Sequence, residues 1–129
     1  MKKNEKKVIG MSELGPQKAP QPLYHEGDFL ACVSRYQESK EKGMGYFTYE
    51  LHDRDGKLYE LTESTKLEYL RGYIQRLGML TNAWSNGSPS YDEIVEIAEK
   101  NFFAVTVKYN NNGYLCIRPP YENLSDEIE

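Results

Sequence analysis

The sequence predicts a mainly-β domain: a five-stranded antiparallel barrel with one or two helices between the third and fourth strands. Three observations carry this. Apolar and polar residues alternate over five short stretches, as a half-buried strand requires. Glycine- and asparagine-bearing turn signals separate those stretches. The alternation breaks once, in the middle of the chain, where the apolar spacing changes to a helical period.

Taken in order, ordered structure is expected to begin near Tyr24 to Gly27. Residues 28–37 (DFLACVSRYQ) form the first strand, with Phe29, Ala31 and Val33 on one face and Leu30, Cys32 and Tyr36 on the other. A charged turn over 38–45 ends in glycines. Residues 46–51 (YFTYEL) form the second strand, and Asp55-Gly56 is a strong hairpin signal. Residues 57–62 (KLYELT) form the third strand, which completes a meander. Ser64 then stands as an N-cap before Leu67, Leu70, Ile74 and Leu77, the apolar stripe of an amphipathic helix. Gly72 weakens that helix and Gly78 suits its end. After a loop over 81–90, Ser90 and Glu93 have capping-box spacing for a second helix over 91–99. Residues 102–109 (FFAVTVKY) are the fourth strand, and Asn111, Asn112 and Gly113 its turn. Residues 114–118 (YLCIR) are the fifth, stopped by Pro119-Pro120. Three strands, helices, then two strands is the outline of the OB-fold barrel. The alternative is an open α+β sheet with both helices on one face.

The 129 residues fit one domain with polar ends. Residues 1–23 hold five lysines, three prolines and few large apolar groups, a composition that predicts a flexible basic N-terminal arm. Residues 24–118 are the folded domain, and residues 119–129, with four acids and no base, an acidic tail. The formal charge of −4 therefore hides a net of +3 in residues 1–24, −3 in the middle and −4 in the tail. No run approaches the roughly 18 apolar residues of a membrane helix, and no apolar run follows the charged start. Cys32 and Cys116 do not make a disulfide framework and read as reduced. The expected location is cytoplasmic, with no membrane association.

Signs of catalysis are weak. His25 and His52 are the only histidines, and neither they nor the cysteines have metal-ligand spacing. Asp53 and Asp55 lack the further ligands of a calcium loop and read as a solvated turn. Gly43 and Gly45 are not followed by the lysine of a phosphate loop. Cys32 reads as a buried apolar residue rather than a nucleophile partnered by His25. The expectation is a non-enzyme with no cofactor and no metal.

Eleven tyrosines point elsewhere. Binding a single strand without sequence preference needs cations for the phosphates and flat rings for the bases. The strands interleave both. The nucleic-acid-binding candidates are Arg35, Tyr36, Lys40, Lys42, Tyr46, Tyr59, Lys108, Tyr114 and Arg118. Against this, tyrosine is a good strand former and is often half-buried. Tyr49 and Tyr109 share faces with core residues, and Tyr69 and Tyr73 read as helix packing. In the tail, Asp126, Glu127, Ile128 and Glu129 combine acids with one apolar side chain, which suits a short motif held by a basic, grooved partner.

The entry EGDFLACVSRYQESKEKGMGYFTYEL, the helix LEYLRGYIQRLGML, the strand FFAVTVKYNNNGYLCI and the acidic end resemble phage-encoded single-stranded DNA-binding proteins of Gram-positive hosts, which have an OB-fold. The resemblance covers roughly residues 22–118. It implies sequence-independent binding of single-stranded DNA in phage replication or recombination, in the host cytoplasm. It also implies a dimer or tetramer, and a tail that docks replication or recombination proteins. Cellular bacterial relatives end in a proline-phenylalanine pair, where this chain ends in Ile128-Glu129. The mildly acidic middle favours a second reading: a phage-encoded interaction or recombination accessory factor that does not bind DNA itself.

Overall fold

The computed structural model of the chain describes residues 19–120. Its strands are β1 (Gln21–Pro22), β2 (Gly27–Ser39), β3 (Met44–His52), β4 (Leu58–Lys66), β5 (Phe103–Tyr109) and β6 (Leu115–Arg118). Between β4 and β5 lie a 3-10 turn (Leu67–Tyr69), α1 (Leu70–Thr81), a second 3-10 turn (Ala83–Asn86) and α2 (Tyr91–Lys100). The strands form one mixed sheet in the order β1-β4-β3-β2-β5-β6. The alternation works as expected along most of it. Phe29, Ala31 and Val33 of β2, Phe47, Tyr49 and Leu51 of β3, and Phe103, Val105 and Val107 of β5 are all buried. Ile74 and Leu77 of α1 and Ile94 and Ala98 of α2 close over them.

The sheet has six strands, not the five expected. The sixth is β1, which lies in the stretch expected to belong to the arm. Gln21 and Pro22 run parallel to β4 opposite Tyr59 and Glu60, so the sheet is mixed rather than purely antiparallel. The Leu23 N–H donates to the Glu60 carbonyl at 3.2 Å, and the Leu23 side chain is buried. A strand edge offers unpaired backbone groups to any extended segment, and proline is tolerated there. The rest of the expected arm, residues 1–18, and the tail from 121 onward lie outside the described residues.

The curl of the sheet brings its far edge back to β4. Pairing with β1 takes up β4 around Tyr59 and Glu60. Further along, Leu61 and Thr62 share a hollow with Gly113, Tyr114 and Leu115 at the start of β6. The Ile117 N–H then donates to Glu63 Oε2 at 2.6 Å. A side chain, rather than a backbone ladder, ties β6 to β4 there. Glu63 is 7% exposed and accepts two more bonds at Oε1, from the Tyr73 hydroxyl and from the Arg76 guanidinium at 3.1 Å. Tyr73 stacks on Phe47 at 4.5 Å, and its hydroxyl meets that of the buried Tyr49.

Two local differences from expectation have plain causes. Ser64 is not a helix cap. It pairs with Tyr46, and β4 runs on to Lys66 because Thr62 and Thr65, good strand residues, stay in the ladder. Thr62 also meets Thr48 through their hydroxyls at 2.9 Å. Helix α1 does not stop at Gly78 but continues to Thr81 and ends on Asn82, whose φ is 57°. Gly78 stays inside the helix because Trp84 lies where its side chain would be. The cap of α2 follows expectation: Ser90 Oγ accepts from the Glu93 N–H, and the Glu93 carboxylate accepts from the Ser90 N–H.

The two glycines of α1 give a matched test. A Cβ on Gly72 meets nothing within 4 Å, whereas one on Gly78 falls 2.5 Å from the Trp84 ring. Gly72→Ala should stabilise the protein by about 0.5–1 kcal/mol through helix propensity. Gly78→Ala should destabilise it by about 1–3 kcal/mol despite the same gain. Chemical denaturation of both variants checks the opposite signs. In the same assay Glu63→Ala should lower stability by about 3 kcal/mol, because it orphans the Ile117 N–H and the Arg76 charge. Glu63→Gln, which keeps an acceptor, should lower it less.

Candidate functional site

The β5–β6 turn is built by one side chain. Asn110 Oδ1 accepts from the N–H groups of Asn112 and Tyr114, both at 2.9 Å. The Gly113 N–H closes on the Asn110 carbonyl at 3.0 Å, with Gly113 at φ 83°, a conformation that favours glycine. This turn presents the Tyr114 ring outward, 70% exposed. Tyr109 ends β5 beside it, 47% exposed, and its hydroxyl donates to the Tyr24 carbonyl at 2.8 Å. The Tyr109 N–H donates to Glu26, so two bonds lock the turn onto the segment before β2. Tyr24, 78% exposed, completes a set of three open rings.

Two hollows meet at Tyr109. One, of about 250 Å³, is lined by Tyr24, Tyr109, Tyr114, Leu23, Leu61 and Thr62, among others. The other, of about 300 Å³, is lined by Lys108, Tyr109, Asn110, Asn111 and Arg118. Rings and cations therefore stand side by side at this end of the sheet. Of the residues singled out from the sequence, Lys108, Tyr114 and Arg118 come together here. Lys108 is half-buried and Arg118 exposed.

A second set sits at the other end of β2. Arg35 is exposed and pairs with Thr48, while half-buried Tyr46 pairs with Gln37 on the next rung of the same face. Exposed Lys40 and Lys42 lie in the hairpin beyond. The two sets are joined by the seam between β4 and β6. Leu115 starts β6 near Leu61, Ile117 touches Glu63, and Arg118 follows on the outer face. Beyond Ser64 the seam leads to Lys66, which pairs with Met44 at the β2–β3 hairpin.

Two of the rings singled out from the sequence are not open. Tyr36 faces the core side. A register shift between Val33 and Arg35 inserts one residue into β2, which turns every later side chain over. The Tyr36 ring packs on Phe47 at 4.5 Å, and its hydroxyl donates to Glu38 at 2.6 Å. Tyr59 is 8% exposed, paired with Leu51 and packed edge-on against His25 and Phe29, so it offers no free ring face. The sequence reading missed Tyr24 and placed Tyr109 with the core. The available signal was position: a ring on the last residue of a strand lies past the packed layer even when its parity points inward. The tail residues Asp126, Glu127, Ile128 and Glu129 lie outside the described residues.

The turn carboxylates are structural: Asp53 Oδ1 accepts from the N–H groups of Asp55 and Lys57 at 3.0 and 2.8 Å. Among the described residues no group of three or more His, Cys, Asp or Glu could hold a metal ion. No helix there is long and apolar enough to cross a membrane. Burial and the nearby Glu50 push the Cys32 thiol up, which keeps it protonated at neutral pH. Comparison with protein-family models and with curated proteins gives no match.

The inward rings titrate late. Burial pushes Tyr49, Tyr73 and Tyr36 well above the usual phenol range, aided by the Glu63 carboxylate at Tyr49, by Tyr49 and Glu63 at Tyr73, and by the hydrogen bond to Glu38 at Tyr36. A folded-state pKa raised above the unfolded value of about 10 means that stability is retained below that pH and lost above it. Denaturation midpoints should therefore fall as pH rises past about 10. Ultraviolet titration should leave these three phenols protonated until the protein unfolds. Their ionisation together with the rest in the folded protein would contradict the buried network.

Proposed function

We propose that this protein binds single-stranded DNA with little sequence preference, along the seam between β4 and β6. The observation that carries the reading is the set of three open rings, Tyr24, Tyr109 and Tyr114, packed beside Lys108 and Arg118 at the β5–β6 turn. Rings give bases a stacking surface worth about 1–3 kcal/mol each, and the cations follow the phosphates. The strand leaves the turn past Arg118 and reaches Lys66, Lys40 and Lys42 at the β2–β3 hairpin, with Arg35 and Tyr46 on the adjoining face.

The element order supports an OB-fold reading of the curled sheet. Three meandering strands, helices, then a hairpin whose first strand pairs with the first meander strand is that fold's outline. On this reading β1 is an addition at the edge of β4. A role in phage DNA replication or recombination, as a homo-oligomer with a partner-docking tail, rests on the sequence resemblance. One observation favours a second reading, an accessory factor that does not touch DNA. Residues 19–120 carry eleven basic and fourteen acidic side chains, a weak balance for a phosphate binder.

Fluorescence anisotropy with labelled oligo-dT at low salt separates the two. Micromolar or tighter binding is expected, and no binding at roughly 100 μM protein would leave the accessory-factor reading. Tyr114→Ala should weaken binding by about 1–3 kcal/mol, while Tyr59→Phe should leave affinity unchanged. Lys108→Ala and Arg118→Ala should each lower the slope of log affinity against log salt by about 0.7.

A further inference from the structure

The helical side of the molecule carries a groove that the tyrosine seam does not use. It lies between α1, α2 and the end of β2, with a volume of about 350 Å³. Its floor is apolar: Leu70 and Ile74 of α1, Val95 of α2, and the rings of Tyr36 and Tyr91. Its walls carry four carboxylates, Glu38, Asp92, Glu96 and Glu99, against one cation, Arg71, for a net of −3. Glu96 already holds Lys100 at 2.7 Å, and Glu38 accepts the Tyr36 hydroxyl, so Asp92 and Glu99 are the walls' least engaged acids. An apolar trough between carboxylates matches a short lysine-rich peptide with apolar anchors.

The chain contains such a segment. Residues 1–18 hold five lysines and two glutamates, a net of +3, with Val8, Ile9, Met11 and Leu14 as apolar side chains. Lys2, Lys3, Lys6 and Lys7 lead directly into that apolar run. Reach is no obstacle. Eighteen residues span up to about 60 Å when extended, whereas a domain of this size has a radius of gyration of about 13 Å.

We propose that the groove between α1 and α2 is a docking site for the chain's own residues 1–18, with the apolar side chains on the floor and the lysines against Asp92 and Glu99. Docking there neutralises the acidic wall at Asp92 and Glu99. The proposal does not depend on the DNA-binding reading, since it uses different residues.

Amide NMR on the full-length protein at low salt tests it, comparing wild type with a variant carrying Lys2→Glu, Lys3→Glu, Lys6→Glu and Lys7→Glu. The expected result is shift changes concentrated at Leu70, Arg71, Ile74, Tyr91, Val95 and Glu99, reproduced in the wild type by raising salt to about 1 M. Val8→Ser with Ile9→Ser should give the same pattern, because the anchors as well as the charges are required. From the groove side, Asp92→Lys with Glu99→Lys should abolish the difference between wild type and the lysine variant. Shift changes elsewhere, or none, would overturn the proposal. Changes that fade on dilution would also overturn it, in favour of the segment of a second copy.

Discussion

A carboxylate buried between β4 and β6 holds this architecture together. Glu63 sits on β4 among apolar neighbours, where an ionised group is costly unless each oxygen is bonded. Both are. Oε2 takes the Ile117 N–H from β6, and Oε1 takes Tyr73 and Arg76 from α1. Burial alone would lower the Arg76 pKa, but Glu63 outweighs it and keeps the guanidinium charged. One side chain thus joins β4, the last edge strand β6 and the helix that covers the open side. The β5–β6 turn hangs from this tie. Its rings face outward at a defined place because β6 is fixed at Ile117 and the turn is fixed at Asn110 and Tyr24.

That dependence explains which parts of the fold were legible in the sequence. Local patterns with their own chemistry read through directly. The Ser90–Glu93 box caps α2, the Asp55-Gly56 turn joins β3 to β4 with Gly56 at φ 80°, and Asn110 to Gly113 turns β5 into β6. Alternation placed Phe47, Tyr49, Val105 and Val107 in the core. What could not be read is whatever needs a distant partner. Glu63 looks like any strand glutamate until β6 and α1 arrive. Gln21 and Pro22 look like linker until the free edge of β4 stands beside them. Gly78 looks like a helix end until Trp84 folds over it.

The candidate site was legible in kind and less so in position. Strand parity carries side-chain facing only as far as the next bulge, and a single inserted residue reverses it. The shift between Val33 and Arg35 moved Tyr36 from the outer face to a place beside Phe47, and by the same reversal it put Arg35 outside. At the strand ends parity fails for a different reason. Tyr109 has the inward parity of Val105 and Val107, yet the core layer has ended before it, so its ring lies open. The rings that remain exposed are those at termini and turns, where backbone bonds rather than packing hold them.

The distribution of charge follows the same division of the molecule into two faces. Helix α2 carries Asp92, Glu93, Glu96 and Glu99 within ten residues, on a helix that buries only Ile94 and Ala98 fully. Asp92 and Glu93 occupy its first turn, where carboxylates favour the helix dipole, so part of this acidity is explained by folding alone. Glu96 and Glu99 lie beyond that turn and are not. They line the groove with Asp92 and leave Lys100, already bound to Glu96, as the helix's one base. The seam, by contrast, has cations at both ends: Lys108 and Arg118 by the β5–β6 turn, Lys66, Lys40 and Lys42 by the other. A net of −3 over residues 19–120 therefore does not describe either face. A phosphate chain on the seam and a lysine-rich segment on the helices would each meet opposite charge.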